Sequence, residues 1–279
     1  NPDLLVPVCL FIIREEKVAL SRRAEIGNAL VRYADNHAKV LDQKAIKKPI
    51  FNFINDFERA LFTKLSQQPV EDILNTFPFF NIYYYRALIF EANRDYDNAF
   101  RLYSKAHQWN PLNPKAIVKI LEALKYDKRS SDLMRLSMWY LQVVYSLPNI
   151  SNALRYAGYA QYLEGRFDIA YAYYYQSIVY DDSALPPGFN EEITSVLTAL
   201  NKKEPYELTR SQLKKLFAYS REKPFPSEIA FDVIRTLIIE HYNKKEYVDV
   251  LRYATHYVIL RPNDDKINRI LKVSKINLN

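Results

Sequence analysis

The sequence is poor in glycine and cysteine. Among 279 residues it has four glycines and one cysteine, Cys9. So few glycines disfavour β-sandwiches, β-barrels and α/β folds with glycine-rich loops. One cysteine excludes a disulfide within the chain and a cysteine-based metal site, and it is compatible with a reducing compartment. We therefore expect a cytoplasmic protein.

An apolar run near the N-terminus is too short to cross a membrane. Leu4 to Ile13 form a stretch of ten residues that contains Pro7, whereas a transmembrane helix needs about 20. We expect a buried strand or another packed segment, and a β-hairpin with the following residues is a further option. The chain begins with Asn and not with Met, which suggests a fragment or a processed form. Membrane attachment is expected only if an anchor lies upstream.

Motifs that carry catalysis or cofactor binding are missing. No glycine is followed by lysine as in a phosphate-binding loop, and neither G-x-G-x-x-G nor G-x-S-x-G occurs. The histidines form no H-E-x-x-H motif, and adjacent acidic residues point to different faces of a helix. We expect no enzyme activity, no cofactor and no metal. The histidines are His37, His107, His241 and His256.

Positive charge exceeds negative charge, but no run of five like charges concentrates it. The net charge is +7 and the isoelectric point is about 9.1. A basic chain can bind nucleic acid or an anionic membrane. Scattered lysines and arginines are also typical of an ordinary soluble protein, and we prefer that interpretation.

The sequence is rich in aromatic side chains and in helical periodicity. It has 23 tyrosines and 15 phenylalanines. Apolar residues recur at steps of three and four between residues 14 and 46 and again between 51 and 65, which predicts amphipathic helices. We interpret residues 1–77 as a helical N-terminal region, formed either by degenerate repeats or by a cap.

Residues 81–113 combine a helix, a tight turn, a second helix and a stop. Small residues such as Ala99 and Ala106 let two helices approach, and Pro111 ends the unit because it has no N–H. This segment resembles the tetratricopeptide (TPR) repeat, a unit of about 34 residues. Arg86 departs from the pattern, which has leucine at that place.

The same order of residues recurs along the chain. A second strong copy has the turn Gly165-Arg166-Phe167-Asp168, with the small Gly158 before it and Ala170 after it. One weaker copy lies between the two strong ones and two follow them. The resemblance implies an all-α fold, a TPR-like right-handed α-solenoid of about four to five antiparallel helix pairs over residues 78–262. A capping helix and tail over residues 263–279 would cover its last apolar face.

The resemblance also implies binding, because TPR arrays usually hold peptides on a concave surface formed by the first helix of each pair. No acid lies one helical turn from Arg155, so we expect an unpaired guanidinium. It would either hold a carboxylate or phosphate beside an apolar group or remain a solvated surface residue. Changing Arg155 and Arg235 to glutamate is then expected to abolish binding and leave the fold intact. The residues that spacing assigns to this surface are Tyr84, Leu88, Lys125, Arg155, Tyr159, Tyr162, Arg235 and Tyr242.

We therefore expect an interaction module or scaffold whose partner is a protein or peptide segment with acidic residues and apolar anchors. The alternative is a nucleic-acid-associated helical repeat that uses the basic charge and exposed tyrosines, with affinity that falls steeply as salt rises. The tyrosine runs fit either interpretation. In the run Tyr83-Tyr84-Tyr85, at most two rings can face the core of a helical protein.

Overall fold

The computed structural model is almost wholly helical in the part of the chain that it describes. Fourteen α-helices are found there, together with a parallel pairing of two short strands, β1 (Ile50–Phe51) and β2 (Glu71–Asp72). The all-α class expected from the sequence is confirmed. The described residues are 2–43, 50–67, 71–72, 77–181, 188–220 and 224–278.

The chain divides into two compact units, Asn1–Ile120 and Leu121–Asn279. The helices of the first unit are α1 (Pro2–Arg14), α2 (Leu20–Gln43), α3 (Asp56–Ser66), α4 (Phe79–Ala92) and α5 (Tyr96–Trp109). Helix α6 (Pro114–Tyr126) contains the boundary. The helices of the second unit are α7 (Ser130–Val143), α8 (Leu147–Leu163), α9 (Phe167–Tyr180), α10 (Phe189–Ala199), α11 (Arg210–Ser220), α12 (Glu228–Asn243), α13 (Tyr247–Leu260) and α14 (Asp265–Leu278).

The N-terminal apolar run, residues 4–13, lies in α1, so the strand and β-hairpin expectations are wrong. Val6 and Ile13 are seven residues apart and both are buried. A helix places such residues on one face, whereas a strand would place them on opposite faces. Packing against α2 and α4 therefore selects the helix. The outer face of α1 leaves Val8 and Phe11 exposed.

Three helix pairs match the clearest turns in the sequence. Helix α4 packs against α5, α8 against α9, and α12 against α13. Helix α14, expected over residues 264–276, covers α12 and α13 with its buried Ile267, Ile270 and Leu271. Local apolar periodicity was therefore a sufficient guide to these helices.

Helices α10 and α11, expected as a fourth pair, pack mainly against α9. Their connector lies on α9 because Tyr206 stacks on Tyr171 with 4.3 Å between ring centres. The Tyr171 hydroxyl donates to the carbonyl of Tyr206 and accepts from its N–H, both at 2.7 Å. A long connector held by a tyrosine therefore joins these two helices, whereas the helices of the other pairs are joined by a short one.

The first helix of each pair ends in the same turn. After α4, Arg94 takes φ = 61° and its N–H bonds to the carbonyl of Glu91 at 2.9 Å. The following N–H, of Asp95, bonds to the carbonyl of Phe90 at 2.9 Å. This is a Schellman motif, which satisfies the last carbonyls of a helix. Helices α6, α8, α10 and α12 end with the same two hydrogen bonds.

These turns recur at similar intervals. Their left-handed residues are separated by 34, 37, 36 and 44 residues. Five helices in the described part of the chain therefore end in a turn of one geometry at similar spacing. The left-handed residues are Arg94, Lys128, Gly165, Asn201 and Lys245.

The small residues that the repeat pattern places at helix contacts are buried. Ala99, Ala106 and Ala170 are at most 3% exposed, and Gly158 is buried as well. A Cβ on Gly158 would lie only 2.9 Å from ring carbons of Tyr174. The burial expected at these positions is confirmed, because larger side chains would separate the helices.

Replacing Ala170 with leucine should lower the free energy of unfolding by about 1–3 kcal/mol, because α8 and α9 leave no room for the added atoms. Urea or thermal unfolding measures the change. Ala199→Leu, at an exposed position of α10, is the control and should change stability by less than about 0.5 kcal/mol. An Ala170→Leu variant as stable as the parent would show that the repeat register is wrong.

Arg86 stands where the repeat pattern has leucine, and its side chain forms hydrogen bonds with α2. Its Nε and Nη2 donate to Oδ1 of Asn28 at 2.9 and 2.8 Å, and its guanidinium lies 3.7 Å from the ring centre of Phe90. Gly27 provides the space, since a Cβ there would lie 2.6 Å from Cδ of Arg86. The departure from leucine is therefore explained by packing against the N-terminal region.

A buried polar network joins α3 to the end of α5 in the first unit. Glu58, which is 2% exposed, accepts hydrogen bonds from Nδ2 of Asn110 at 2.7 Å, Nδ2 of Asn113 at 2.9 Å and the N–H of Ile54 at 2.9 Å. Asn110 also donates to the carbonyl of Asn52 at 3.1 Å. Burial raises the pKa of the Glu58 carboxyl above its usual value, although these hydrogen bonds lower it. The network holds a carboxyl group that no cation neutralises among the described residues.

Candidate binding site

Four of the residues assigned to the binding surface come together in the second unit. Lys125 lies on α6, whereas Arg155, Tyr159 and Tyr162 lie on α8. Nζ of Lys125 is 4.8 Å from the ring centre of Tyr159, and the rings of Tyr159 and Tyr162 are 5.9 Å apart. Both tyrosines are half-buried, so each presents part of its ring to solvent. We call Lys125, Tyr159 and Tyr162 the α8 strip.

Arg155 is buried and paired, which corrects the expectation of an unpaired guanidinium. Its Nη2 lies 3.0 Å from Oε1 of Glu192 in the first turn of α10, and Lys125 pairs with the same oxygen. The Arg155 and Glu192 side chains are 8% and 9% exposed. Glu192 lies 37 residues further along the chain, so an inspection of one helical turn around Arg155 could not find it.

Aromatic rings enclose the ion pair of Arg155 and Glu192. The guanidinium lies 4.8 Å from the ring centre of Phe189, and Phe189 meets Tyr174 edge-on at 5.5 Å. Burial raises the pKa of the Tyr174 hydroxyl, and the nearby charge of Glu192 raises it further. We call Arg155, Tyr174, Phe189 and Glu192 the Glu192 cluster. The Arg155 and Glu192 side chains are largely removed from water, so the loss of either charge of the pair is costly.

Arg235, on α12, also has an internal partner. Its Nε lies 2.7 Å from Oδ2 of Asp264, which accepts a second hydrogen bond from the Tyr257 hydroxyl at 2.9 Å. Burial raises the pKa of the Asp264 carboxyl, but the hydrogen bonds from Arg235, from a backbone N–H and from Tyr257 bring it below its usual value. An open pocket of about 570 Å³ adjoins Asp264. Tyr242 lies further along α12, and its ring centre is 6.3 Å from that of Tyr247.

These pairings change the expected outcome of the charge reversal. Glutamate at position 155 would lie beside Glu192, and glutamate at position 235 would lie beside Asp264. Like charges at these distances repel, and the first pair is buried. We therefore no longer expect the double reversal of Arg155 and Arg235 to leave the fold intact, and other residues must be changed to test binding.

Tyr84 and Leu88 lie on α4 in the first unit, and both are half-buried. The Tyr84 ring packs against Tyr103 with 5.6 Å between centres. Tyr83 beside it is buried and donates to Oδ1 of Asp35 at 2.7 Å. Of the three consecutive tyrosines in α4, one therefore faces the core, within the limit of two that the sequence predicted.

One group of side chains in the described part of the chain has the donors and spacing for a metal ion. The donor atoms of His241, Glu246 and Asp249 lie within 4.8 Å of one another. Nδ1 of His241 and Oε2 of Glu246 share a hydrogen bond of 2.6 Å, and Arg252 pairs with Asp249 at 2.9 Å. These contacts hold together the turn between α12 and α13. They therefore explain why the three side chains lie close to one another without a metal ion.

No protein-family model matches the chain, and neither the curated proteins nor the solved structures contain a significant match. In the part of the chain that the structure describes, no helix is both long enough and apolar enough to cross a membrane.

Sequence reasoning missed the role of Glu192 and Phe189. Glu191 and Glu192 both lie in the first turn of α10, where acids favour the start of a helix. Nothing in the local pattern separates the exposed Glu191 from Glu192, whose side chain is 9% exposed. The distinction depends on how α10 packs against α8 and α9, which only a three-dimensional structure provides.

Proposed function

We propose that the chain is a protein-interaction module, a TPR-like right-handed solenoid whose first helices bind a peptide or protein segment. The observation that carries this proposal is the Schellman turn that ends α4, α6, α8, α10 and α12 at similar spacing. Stacked units of this kind form extended surfaces, which repeat proteins use to bind partners.

The α8 strip is the part of this surface on which we base the binding site. Tyr159 and Tyr162 supply half-exposed aromatic rings, and the Lys125 side chain is 27% exposed beside them. Aromatic side chains contribute most to binding where they are fixed before the partner arrives. The Tyr159 ring packs against Nζ of Lys125, and the ring centre of Tyr162 lies 5.8 Å from that of Phe167. The chemistry that fits this strip is an apolar anchor with an acidic residue next to it.

The Glu192 cluster has a supporting role in this proposal. Arg155 is too buried to be the first contact of a ligand, and Glu192 already compensates its charge. Lys125 shares that carboxylate and remains partly exposed. An acidic residue of a partner would therefore approach Lys125, while Arg155 and Glu192 keep α8 and α10 in place.

Selection from a displayed library of random short peptides tests the proposal. We expect enriched peptides that carry acidic and apolar residues, and we expect Tyr159→Ser with Tyr162→Ser to weaken their binding at least about tenfold. Tyr126→Ser is the matched control, because Tyr126 is 87% exposed at the end of α6, and it should bind like the parent.

Two results would contradict this assignment. One is a selection that enriches no peptide, and the other is an equal loss of binding in the Tyr126 control. If the chain instead binds polyuridylate with an affinity that falls linearly on a double-logarithmic salt plot, the nucleic-acid alternative replaces the proposal.

A further inference from the structure

The outer face of α14 carries four cationic side chains that have no acidic partner in the described part of the chain. They occur at every third residue and all are exposed. Of the neighbouring carboxylates, Asp264 binds Arg235 and Asp249 binds Arg252. Asp265, in the first turn of α14, is exposed and forms no ion pair among the described residues, so four cations and one acid leave this face with an excess of positive charge. The cationic residues are Lys266, Arg269, Lys272 and Lys275.

Packing fixes the direction in which these charges point. Ile267, Ile270 and Leu271 are buried against α12 and α13, so the opposite side of α14 faces solvent. On that side Ile276 is 66% exposed and Val273 is 38% exposed. Because residues three and four apart are neighbours on a helix, both aliphatic side chains lie among the cations. We call this combination the α14 basic face.

The composition of this face distinguishes between anionic partners. Proteins that bind single-stranded nucleic acid combine cations with aromatic rings that stack on bases, and α14 contains no aromatic residue. Helices that lie on membranes combine lysine and arginine with apolar side chains that enter the boundary between headgroups and acyl chains. A group of at least four basic residues on an amphipathic helix is typical of binding to anionic lipids.

The cations of the α8 strip and of α12 differ from those of the α14 basic face. Lys125 and Arg235 have carboxylate partners within the chain, at Glu192 and Asp264. Their charge is therefore partly compensated within the chain, although the Lys125 side chain remains partly exposed. The unpaired charge of α14, with Ile276 beside it, is available to an external surface.

We propose that the α14 basic face binds the surface of an anionic lipid bilayer, with the four cations at the headgroups and Ile276 inserted between them. This contact is peripheral and goes beyond the proposed peptide binding. It uses residues outside the α8 strip, so either proposal can fail while the other stands.

Cosedimentation of the full chain with vesicles tests this inference. We expect binding to phosphatidylcholine vesicles that contain phosphatidylserine and little binding to phosphatidylcholine alone. Lys272→Gln with Lys275→Gln should weaken binding about 25-fold, because each basic residue near such a surface contributes about fivefold. The charge-matched control is Lys214→Gln with Lys215→Gln, two exposed lysines of α11, and it should bind almost like the parent.

Ile276→Ser separates insertion from charge attraction alone. It keeps all four cations, and we expect it to weaken vesicle binding by about fivefold or more, since an inserted aliphatic side chain is lost. A thermal melt of each variant checks that α14 remains folded. The inference is overturned if phosphatidylserine has no effect, if the α11 control loses as much affinity, or if Ile276→Ser binds like the parent. The face would be assigned to nucleic acid if the chain does not bind vesicles but binds polyuridylate, and if the Ile276→Ser variant binds polyuridylate equally well.

Discussion

Glu192→Ala is expected to lower the free energy of unfolding by about 3–5 kcal/mol, a large fraction of the stability of a domain. The substitution removes the carboxylate and leaves the Arg155 guanidinium buried at 8% exposure beside the ring of Phe189. Removing one member of a buried ion pair is costly, because the remaining charge has left water and loses its bond to the carboxylate. Urea unfolding of the variant, followed by circular dichroism, measures the loss.

Two further variants separate this explanation from a general effect of the position. Glu191→Ala changes an exposed acid in the same helical turn and should cost less than about 0.5 kcal/mol. Arg155→Leu combined with Glu192→Leu removes both charges and should recover most of the stability, as buried ion pairs replaced by apolar residues often do. A Glu192→Ala variant as stable as Glu191→Ala would contradict the buried pairing.

Glu58→Ala is expected to lower the free energy of unfolding by about 2–4 kcal/mol near pH 5. The side chain is 2% exposed and accepts three hydrogen bonds. Its removal leaves a cavity, which lowers stability. It also deprives the N–H of Ile54 and Nδ2 of Asn113 of their acceptor, and buried donors without an acceptor are costly. Lys64→Ala, at an exposed position on α3, is the control and should have little effect.

The cost of Glu58→Ala should become smaller as pH rises. Burial raises the pKa of Glu58 in the folded chain, so the folded state holds this proton more tightly than the unfolded state does. The stabilisation from the protonated group is complete below the usual pKa of glutamate and is lost as pH rises through the folded-state pKa. Unfolding of the parent and the variant across this range measures the difference. A cost that grows with pH would mean that the folded-state pKa is lowered.

The helices and their turns could be predicted because they depend on local sequence. Apolar periodicity marked the helices, and small residues such as Ala99 and Ala170 marked the contacts within pairs. Residues 4–13 were expected to form a buried strand or another packed segment, and they are a packed segment in the form of helix α1. The run is apolar throughout and contains Pro7. Such a run has no periodicity from which to choose between helix and strand, so its packing against α2 and α4 decided the structure.

The arrangement of the proposed binding surface could be predicted only in part, because its charges are compensated by residues distant in sequence. Spacing from the turns brought Lys125, Tyr159 and Tyr162 into one strip. The same spacing could not show that Glu192 reaches Arg155 from another helix. A similar limit applies to Glu58, whose partners Asn110 and Asn113 follow it by 52 and 55 residues.

Hydrogen exchange of the chain with a selected peptide, read by mass spectrometry, tests the central proposal most directly. If the first helices bind the partner, the backbone amides of α6 and α8 should exchange more slowly in the complex. The exchange rates of amides in α7 and α9 should change little. The Tyr159→Ser, Tyr162→Ser variant should lose this protection. Protection confined to α7 and α9, or protection that persists in the variant, would contradict the account and place the interaction on the second helices.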